Sequence, residues 1–312
     1  MKILTAFFLV FFTYFNLFSQ RVNGADGKFL SQKEDSLKTY SAKIIQGINP
    51  SDRLEADSLF TKVFVRALKT NNSFYYPFDS LFTISKLYAP DSSFRIFTWQ
   101  MVINENIIRQ HGAIQMRTKD GSLKLFPLID KSDITIKQAD TIANNMGWMG
   151  AVYYKIILTK NGNHNYFTLL GFDENNIRST KKVIEILDFV NGEPRFGGRF
   201  FNVNKPGFTS GIARYVMEYK KDASPRLTWD EDLKMIVMEH LISESNEPNK
   251  KWTLVGDGDY EAFKWVDGKW AYMNKIFDQV TPEGKAPVPS PLNESKLNTG
   301  EEIKPVPKKN KN

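Results

Sequence analysis

The sequence encodes an α+β protein, mainly an antiparallel β meander preceded by two amphipathic helices, and three observations predict it. Four of the seven Asn-Gly or Asp-Gly pairs, those at 120–121, 161–162, 191–192 and 267–268, sit between apolar runs, which is the turn chemistry that antiparallel hairpins require. Aromatic residues make up 13% of the chain, and their side chains suit a pleated, half-buried surface. Ahead of the first strand signal, apolar residues recur at helical spacing instead. At 312 residues the chain can bury a sizeable core, with length enough for one large domain or two.

Taken in order, the first twenty residues carry one charge, Lys2, then an apolar run from Ile3 to about Phe18 and a polar end. This reads as a secretory signal peptide over 1–24, cleaved between 20 and 25. The run falls short of the roughly 20 apolar residues of a spanning helix. A single domain is expected over 25–280. Ser31 and Glu34 form a capping-box pattern ahead of Leu37, Tyr40, Ile44 and Ile48. Asn49 and Pro50 then open a second helix, with Leu59, Phe60, Val63, Phe64, Ala67 and Leu68 in one stripe. Apolar stripes of this kind face a core, either the other helix or the sheet.

Between Pro77 and Pro90 the pattern predicts a short helical turn through Leu81, Phe82 and Ile84. The period then changes to two. Strands are expected at Phe94–Ile103, Ile107–Arg117 and Leu123–Ile129, joined by Asn104-Glu105-Asn106 and by a tight turn at Asp120-Gly121. Residues 133–145 fit a short helix or a loop. The stretch 150–202 is a second meander. Val152, Tyr154, Ile156 and Leu158 make its first continuous face, with Tyr153, Lys155 and Thr159 turned partly outward. Tyr166–Leu170 and Val183–Val190 follow. Ala213, Tyr215, Met217 and Tyr219 share one side of the next strand, across from Arg214 and Glu218. Leu233–Ile242 fits a strand covered on both faces, or a helix. Tyr260–Val266 and Lys269–Met273 close on Asp267-Gly268.

From Thr281 onward the chain has six of its fourteen prolines and no aromatic residue, so 281–312 reads as a disordered tail that cannot bury a core. Cysteine is absent throughout. Disulfides, thiol catalysis and thiolate zinc sites are thereby excluded, and an exported protein of this kind suits a bacterial periplasm or exterior. The net charge of +7 is scattered among interleaved Lys and Glu, a solvated surface and not a nucleic-acid footprint.

Candidate chemistry is sparse. His111, His164 and His240 are far apart, and no nucleophile elbow, phosphate-cradling glycine loop or His-Glu-x-x-His motif occurs. Asp257, Asp259 and Glu261 alternate, a pattern fit for loose binding of a hard cation. The twelfth position counted from Asp257 is Gly268 and not Glu, which rules out an EF-hand; the plain alternative is a polar turn. Trp148, Asp173, Asn175, Asn176 and Arg178 fall at strand ends, where an aromatic face beside amide and carboxylate groups suits a sugar or peptide. Turns use the same residues for local hydrogen bonding.

The run Tyr166-Phe167-Thr168-Leu169-Leu170-Gly171-Phe172-Asp173, then Asn175-Asn176, Lys181-Lys182-Val183-Ile184 and Asn191-Gly192-x-Pro194-Arg195-Phe196-Gly197, resembles an uncharacterised family of secreted bacterial proteins of Bacteroidota type. The resemblance extends from about Phe94 to Met273. It implies export and an antiparallel core, and it implies no catalytic residue, since no activity is known for the family. Phe172 stands where such proteins often carry Trp. The expectation is therefore an exported, non-enzymatic binding or structural protein of the periplasm or cell surface. Its partner would be an envelope glycan or protein, with no cofactor, no nucleic acid and no membrane span after signal removal. The alternative is a secreted hydrolase of carbohydrate or peptide, with carboxylates such as Asp173 and Asp257 gathered from turns.

Overall fold

The computed structural model describes residues 22–203 and 211–277. The apolar leader run and the proline-rich tail lie outside them. The first of two compact units, Met1–Ile276, holds every element described. In chain order these are helices α1 (Gly24–Gln46) and α2 (Pro50–Leu68), then strands β1 (Ser85–Tyr88), β2 (Phe94–Asn104), β3 (Ile107–Met116) and β4 (Lys124–Ile129). Next come β5 (Ala143–Asn144), β6 (Val152–Asn161), β7 (His164–Asp173), β8 (Ser179–Val190) and β9 (Glu193–Phe196). The chain ends with β10 (Phe201–Asn202), β11 (Arg214–Lys220), β12 (Leu227–Asp230), β13 (Met235–Ser243), β14 (Leu254–Val266) and β15 (Lys269–Met273). The α+β class is as expected, and among the described residues no helix is long and apolar enough to cross a membrane.

The strands form three sheets instead of one meander: β1-β2-β3-β4; β5-β9-β8-β7-β6 with β11 also on β8; and β10-β15-β14-β13-β12. Only β10 pairs with its neighbour in parallel. Three apolar cores stack the layers. Leu30, Leu37, Ile44, Phe60 and Phe64 of the helices pack on Phe97, Trp99 and Met101 of β2. Phe94 and Ile96, from the other face of β2, meet Phe167, Leu169 and Leu187 of the middle sheet. The reverse face of that sheet, with Leu170, Ile184 and Ile186, meets Ile236, Phe263 and Trp270 of the third. Period-2 alternation thus serves two cores at once wherever a strand is covered on both sides.

Several local expectations change. Asn23 caps α1, accepting the Asp26 N–H at 2.8 Å, so the Ser31/Glu34 pair lies inside the helix. Glu34 is buried there and accepts from the Tyr76 hydroxyl at 2.5 Å and the Ser80 N–H at 2.6 Å. Leu81–Ile84 form a single turn, with the Ile84 N–H on the Leu81 carbonyl at 3.4 Å, and β1 starts directly after it at Ser85, paired with β2. Residues 133–145 combine loop with a single 3-10 turn at Gln138–Asp140 and the short β5, and a second 3-10 turn starts at Asn145. Asn191-Gly192 and Asp267-Gly268 have both residues at positive φ, as a two-residue hairpin of the I′ type requires. At the third pair the loop is Gly162-Asn163, and Asp120-Gly121 lies in a wider connection between β3 and β4.

The largest correction concerns the first strand of the second meander. A bulge between Tyr153 and Lys155 inserts one residue, and each side chain beyond it changes face. Tyr153, expected outward, is wholly buried, while Tyr154 is 40% exposed. Gly171 makes room for this: a Cβ there would lie 2.9 Å from the Tyr153 ring.

Arg214, on the side of its strand across from Ala213 and Tyr215 as expected, is also buried. It meets Glu185 directly across the β8–β11 ladder. The Arg214 Nε and Nη2 groups reach Glu185 Oε1 at 2.6 and 2.5 Å, and Nη1 donates to the Gln138 carbonyl. Glu185 Oε2 accepts from the Tyr153 hydroxyl at 2.6 Å, which accepts from Trp148 Nε1 at 2.8 Å. Arg95 is a second buried cation, with no carboxylate contact among the described residues. It donates to the Ser73 and Tyr76 carbonyls, Gln115 and the Tyr88 hydroxyl. Four aromatic rings surround it, and burial pushes its pKa down to about 10.

Removing Arg214 alone leaves the Glu185 charge buried and uncompensated, which costs about 3–5 kcal/mol. Arg214→Met is expected to lose that much stability in urea unfolding. The double variant Arg214→Met with Glu185→Met should recover most of it, because apolar replacement of a whole buried pair is close to neutral.

Candidate functional site

The β7–β8 connection is built by its own side chains. Asp173 Oδ1 accepts the Asn175 N–H at 2.9 Å, and Asn175 takes a positive φ. Asn176 Oδ1 accepts the N–H groups of Arg178 and Ser179 at 2.8 and 3.1 Å. These are the local bonds that suit Asn and Asp to turns. They also set Asp173, Asn175 and Asn176 along one wall of a cleft of about 280 Å³, opposite Ile107–Arg109 of β3 and Ser132–Asp133 of the following loop. The cleft thus lies between β3 of the first sheet and the β7–β8 connection of the middle sheet.

Behind its wall is a polar layer in place of apolar core. Gln100 and Gln110 face each other across β2 and β3. Gln110 Nε2 donates to Asp173 Oδ1 at 3.0 Å, and its backbone N–H donates to Asp130 Oδ2 at 3.1 Å. Gln110 Oε1 is buried and has no hydrogen-bond partner among the described residues. Gln100 Nε2 donates to Glu174 Oε2 at 2.9 Å. Asp173 itself is only 7% exposed. Burial pushes its carboxyl above the usual range, opposed by the Asn175 N–H, Lys181 and Gln110. Two cations stand at the rim: Arg109, 2.8 Å from Asp133, and Lys181, whose Nζ lies 3.5 Å from Gln138 Oε1.

Of the five residues expected to bind a ligand, three line this cleft. Trp148 does not, because it is wholly buried with its indole N–H spent on Tyr153. Arg178 turns away and lies 5.4 Å over the Trp252 ring. Arg109 and Lys181 were not singled out by sequence. The available signal was Gln100 and Gln110, two amides at inward positions of otherwise apolar strands.

The expected cation site is not assembled. Asp257, Asp259 and Glu261 lie within β14 and not in a turn. Asp257 Oδ2 is 2.8 Å from His240 Nδ1, and Asp259 reaches out to Lys275 at 3.7 Å. Glu261 is buried, 3.7 Å from His240 Nε2. Among the described residues no group of three or more His, Asp or Glu is arranged to hold a metal. The strand irregularity at His240 sets Asp257 and Glu261 at the two nitrogens of its imidazole, while Asp259 pairs with Lys275. Nor does Asp257 line the cleft that holds Asp173. Each histidine instead sits beside a distant carboxylate, His111 with Asp57 and His164 with Asp188, a pairing set by strand register and invisible to spacing.

Because the folded Asp173 favours its protonated form, it stabilises the fold below the ordinary carboxyl value of 3.8, and that contribution is lost as pH rises through the raised folded value. Asp173→Asn keeps the acceptor oxygen and removes the buried charge. It is expected to melt above the wild type at pH 7, with the margin closing on acidification, as read from melting temperature against pH.

Compared with known protein families, curated proteins and solved structures, the chain has no match.

Proposed function

We propose that the protein is an exported, non-enzymatic binding protein of the bacterial periplasm or cell surface, and that the cleft at the β7–β8 turn takes a short peptide with free termini. One observation carries the reading: a buried carboxylate, backed by a buried amide oxygen that has no partner among the described residues, faces a rim bearing Arg109 and Lys181. A peptide ammonium and its N–H groups complement Asp173 and its amide neighbours. A terminal carboxylate complements Arg109 and Lys181, and charge-assisted bonds of this sort are the strong ones. The cleft is lined by no aromatic side chain, and a saccharide would need an aromatic face to stack on, so the peptide is favoured over the sugar here. Export is supported by the leader-like run from Ile3 and by the absence of cysteine.

The test is thermal stability of the full chain with trialanine, and with its N-acetylated, C-amidated counterpart. A ligand at tenfold its dissociation constant stabilises by about 1.4 kcal/mol, which moves the melting temperature by roughly 3–6 °C. The shift is expected with free trialanine, not with the blocked form, and is expected to vanish in Asp173→Asn, a variant predicted to fold well. Absence of any shift across a panel of di- and tripeptides would overturn the proposal.

A further inference from the structure

The end of the middle sheet that borders the peptide cleft also borders a second groove, on its opposite face, of about 550 Å³. Strand register accounts for it. The rung Leu170–Ile184–Tyr215 is apolar and belongs to the core against the third sheet. One step toward the β7–β8 turn the rung becomes Phe172–Lys182–Met217, and the next pairs Thr180 with Tyr219. Apolar filling gives way to a lysine and hydroxyls. The bulge in β6 then supplies a wall. It turns both Tyr154 and Lys155 toward the third sheet, where the Tyr154 hydroxyl donates to the Leu227 carbonyl at 2.9 Å and Lys155 meets Glu231 at 3.0 Å. Bulges that re-aim a side chain in this way recur beside functional sites.

The chemistry lining the groove is specific. Lys182 Nζ donates to the Pro225 carbonyl at 2.6 Å and touches no carboxylate among the described residues. Lys221 is held by Glu174, at 3.0 Å from its carbonyl and 3.3 Å from its carboxylate. The Thr180 and Tyr219 hydroxyls make no side-chain hydrogen bond among the described residues. The backbone here is already paired on both sides in β7 and β8, so a peptide cannot add as a strand. What remains among the described residues is an aromatic face from Tyr154 and Phe172, two hydroxyls with no side-chain hydrogen bond, one acceptor carboxylate and a cation without an anionic contact.

We propose that this groove binds a saccharide unit carrying a carboxylate. The sugar's C–H face lies on Tyr154 and Phe172, its hydroxyls meet Thr180, Tyr219 and Glu174, and its carboxylate meets Lys182. A neutral sugar would leave the half-buried ammonium without an anion, which is the costly arrangement. A polyanion is poorly served, because Lys221 is already neutralised by Glu174. The groove and the peptide cleft lie on opposite faces of one sheet, so each proposal stands or falls alone.

Calorimetric titration of the full chain with trigalacturonate, and with maltotriose as its neutral counterpart, tests the assignment. Saturable binding of trigalacturonate is expected, at least tenfold tighter than maltotriose. Lys182→Gln should abolish that preference, and Lys182→Arg should keep it. No saturable binding, equal affinity for both sugars, or an unchanged preference in a folded Lys182→Gln protein would each overturn the proposal. The wild-type comparison decides the matter even where the variant does not fold.

Discussion

The Glu185 carboxylate sits wholly buried in the middle of the central sheet, and the surrounding structure is arranged to hold its charge. An ion in a low-dielectric interior is tolerated only when its partners are complete. Here Arg214 arrives from β11, and Tyr153 from β6 with Trp148 behind it. The Gln138 carbonyl, from the loop that crosses the sheet, holds Arg214 in turn. These partners place β6 and β11 on either side of the β7–β8 pair and fix the Tyr153 ring inward. That inward position is reached only through the bulge, so the buried charge and the irregular strand belong to one arrangement.

Both grooves follow from it. The bulge that sinks Tyr153 lifts Tyr154 to the other face, where it walls the groove beside Lys182. The β7–β8 turn, anchored by Asp173 and Asn176, divides the two sites: residues 173, 175 and 176 face one, and 172 and 174 the other. A sheet buried on both faces over most of its length opens to solvent on both at the same end. The polar rungs Gln100–Gln110 and Thr180–Tyr219 mark where each apolar core stops.

Charge elsewhere is handled by different means. Arg95 has carbonyl and amide acceptors inside a cage of aromatic rings, which ties the segment after α2 to the first sheet without any carboxylate contact among the described residues. Asp173 is in contact with no cation among the described residues, and burial raises its carboxyl against the pull of Lys181. The first is a packing device, since its acceptors are two carbonyls, the buried Gln115 amide and the Tyr88 hydroxyl. The second lines a cleft, where a carboxyl raised by burial is a candidate marker of function.

Strands β2, β3, β4, β6, β7, β8, β11 and β15, both helices and the type I′ turns at Asn191-Gly192 and Asp267-Gly268 were determined by sequence alone, because periodicity and turn chemistry act over a few residues; the short strands β1, β5, β9, β10 and β12 were not, because pairing with a neighbour makes them. The turn residues Asp173, Asn175 and Asn176 were legible for the same reason. Tertiary structure decided the rest. Gln110 meets Asp173 from 63 positions away and Arg214 meets Glu185 from 29, and neither spacing has any local signature. Trp148 looked like an exposed aromatic until Tyr153 turned inward to meet it, and Asp257–Glu261 looked like a ligand set until β14 was paired with His240. One inserted residue in β6 reverses which side chains face which core, and that reversal depends on how far strands register, a property of the assembled sheet and not of any stretch within it.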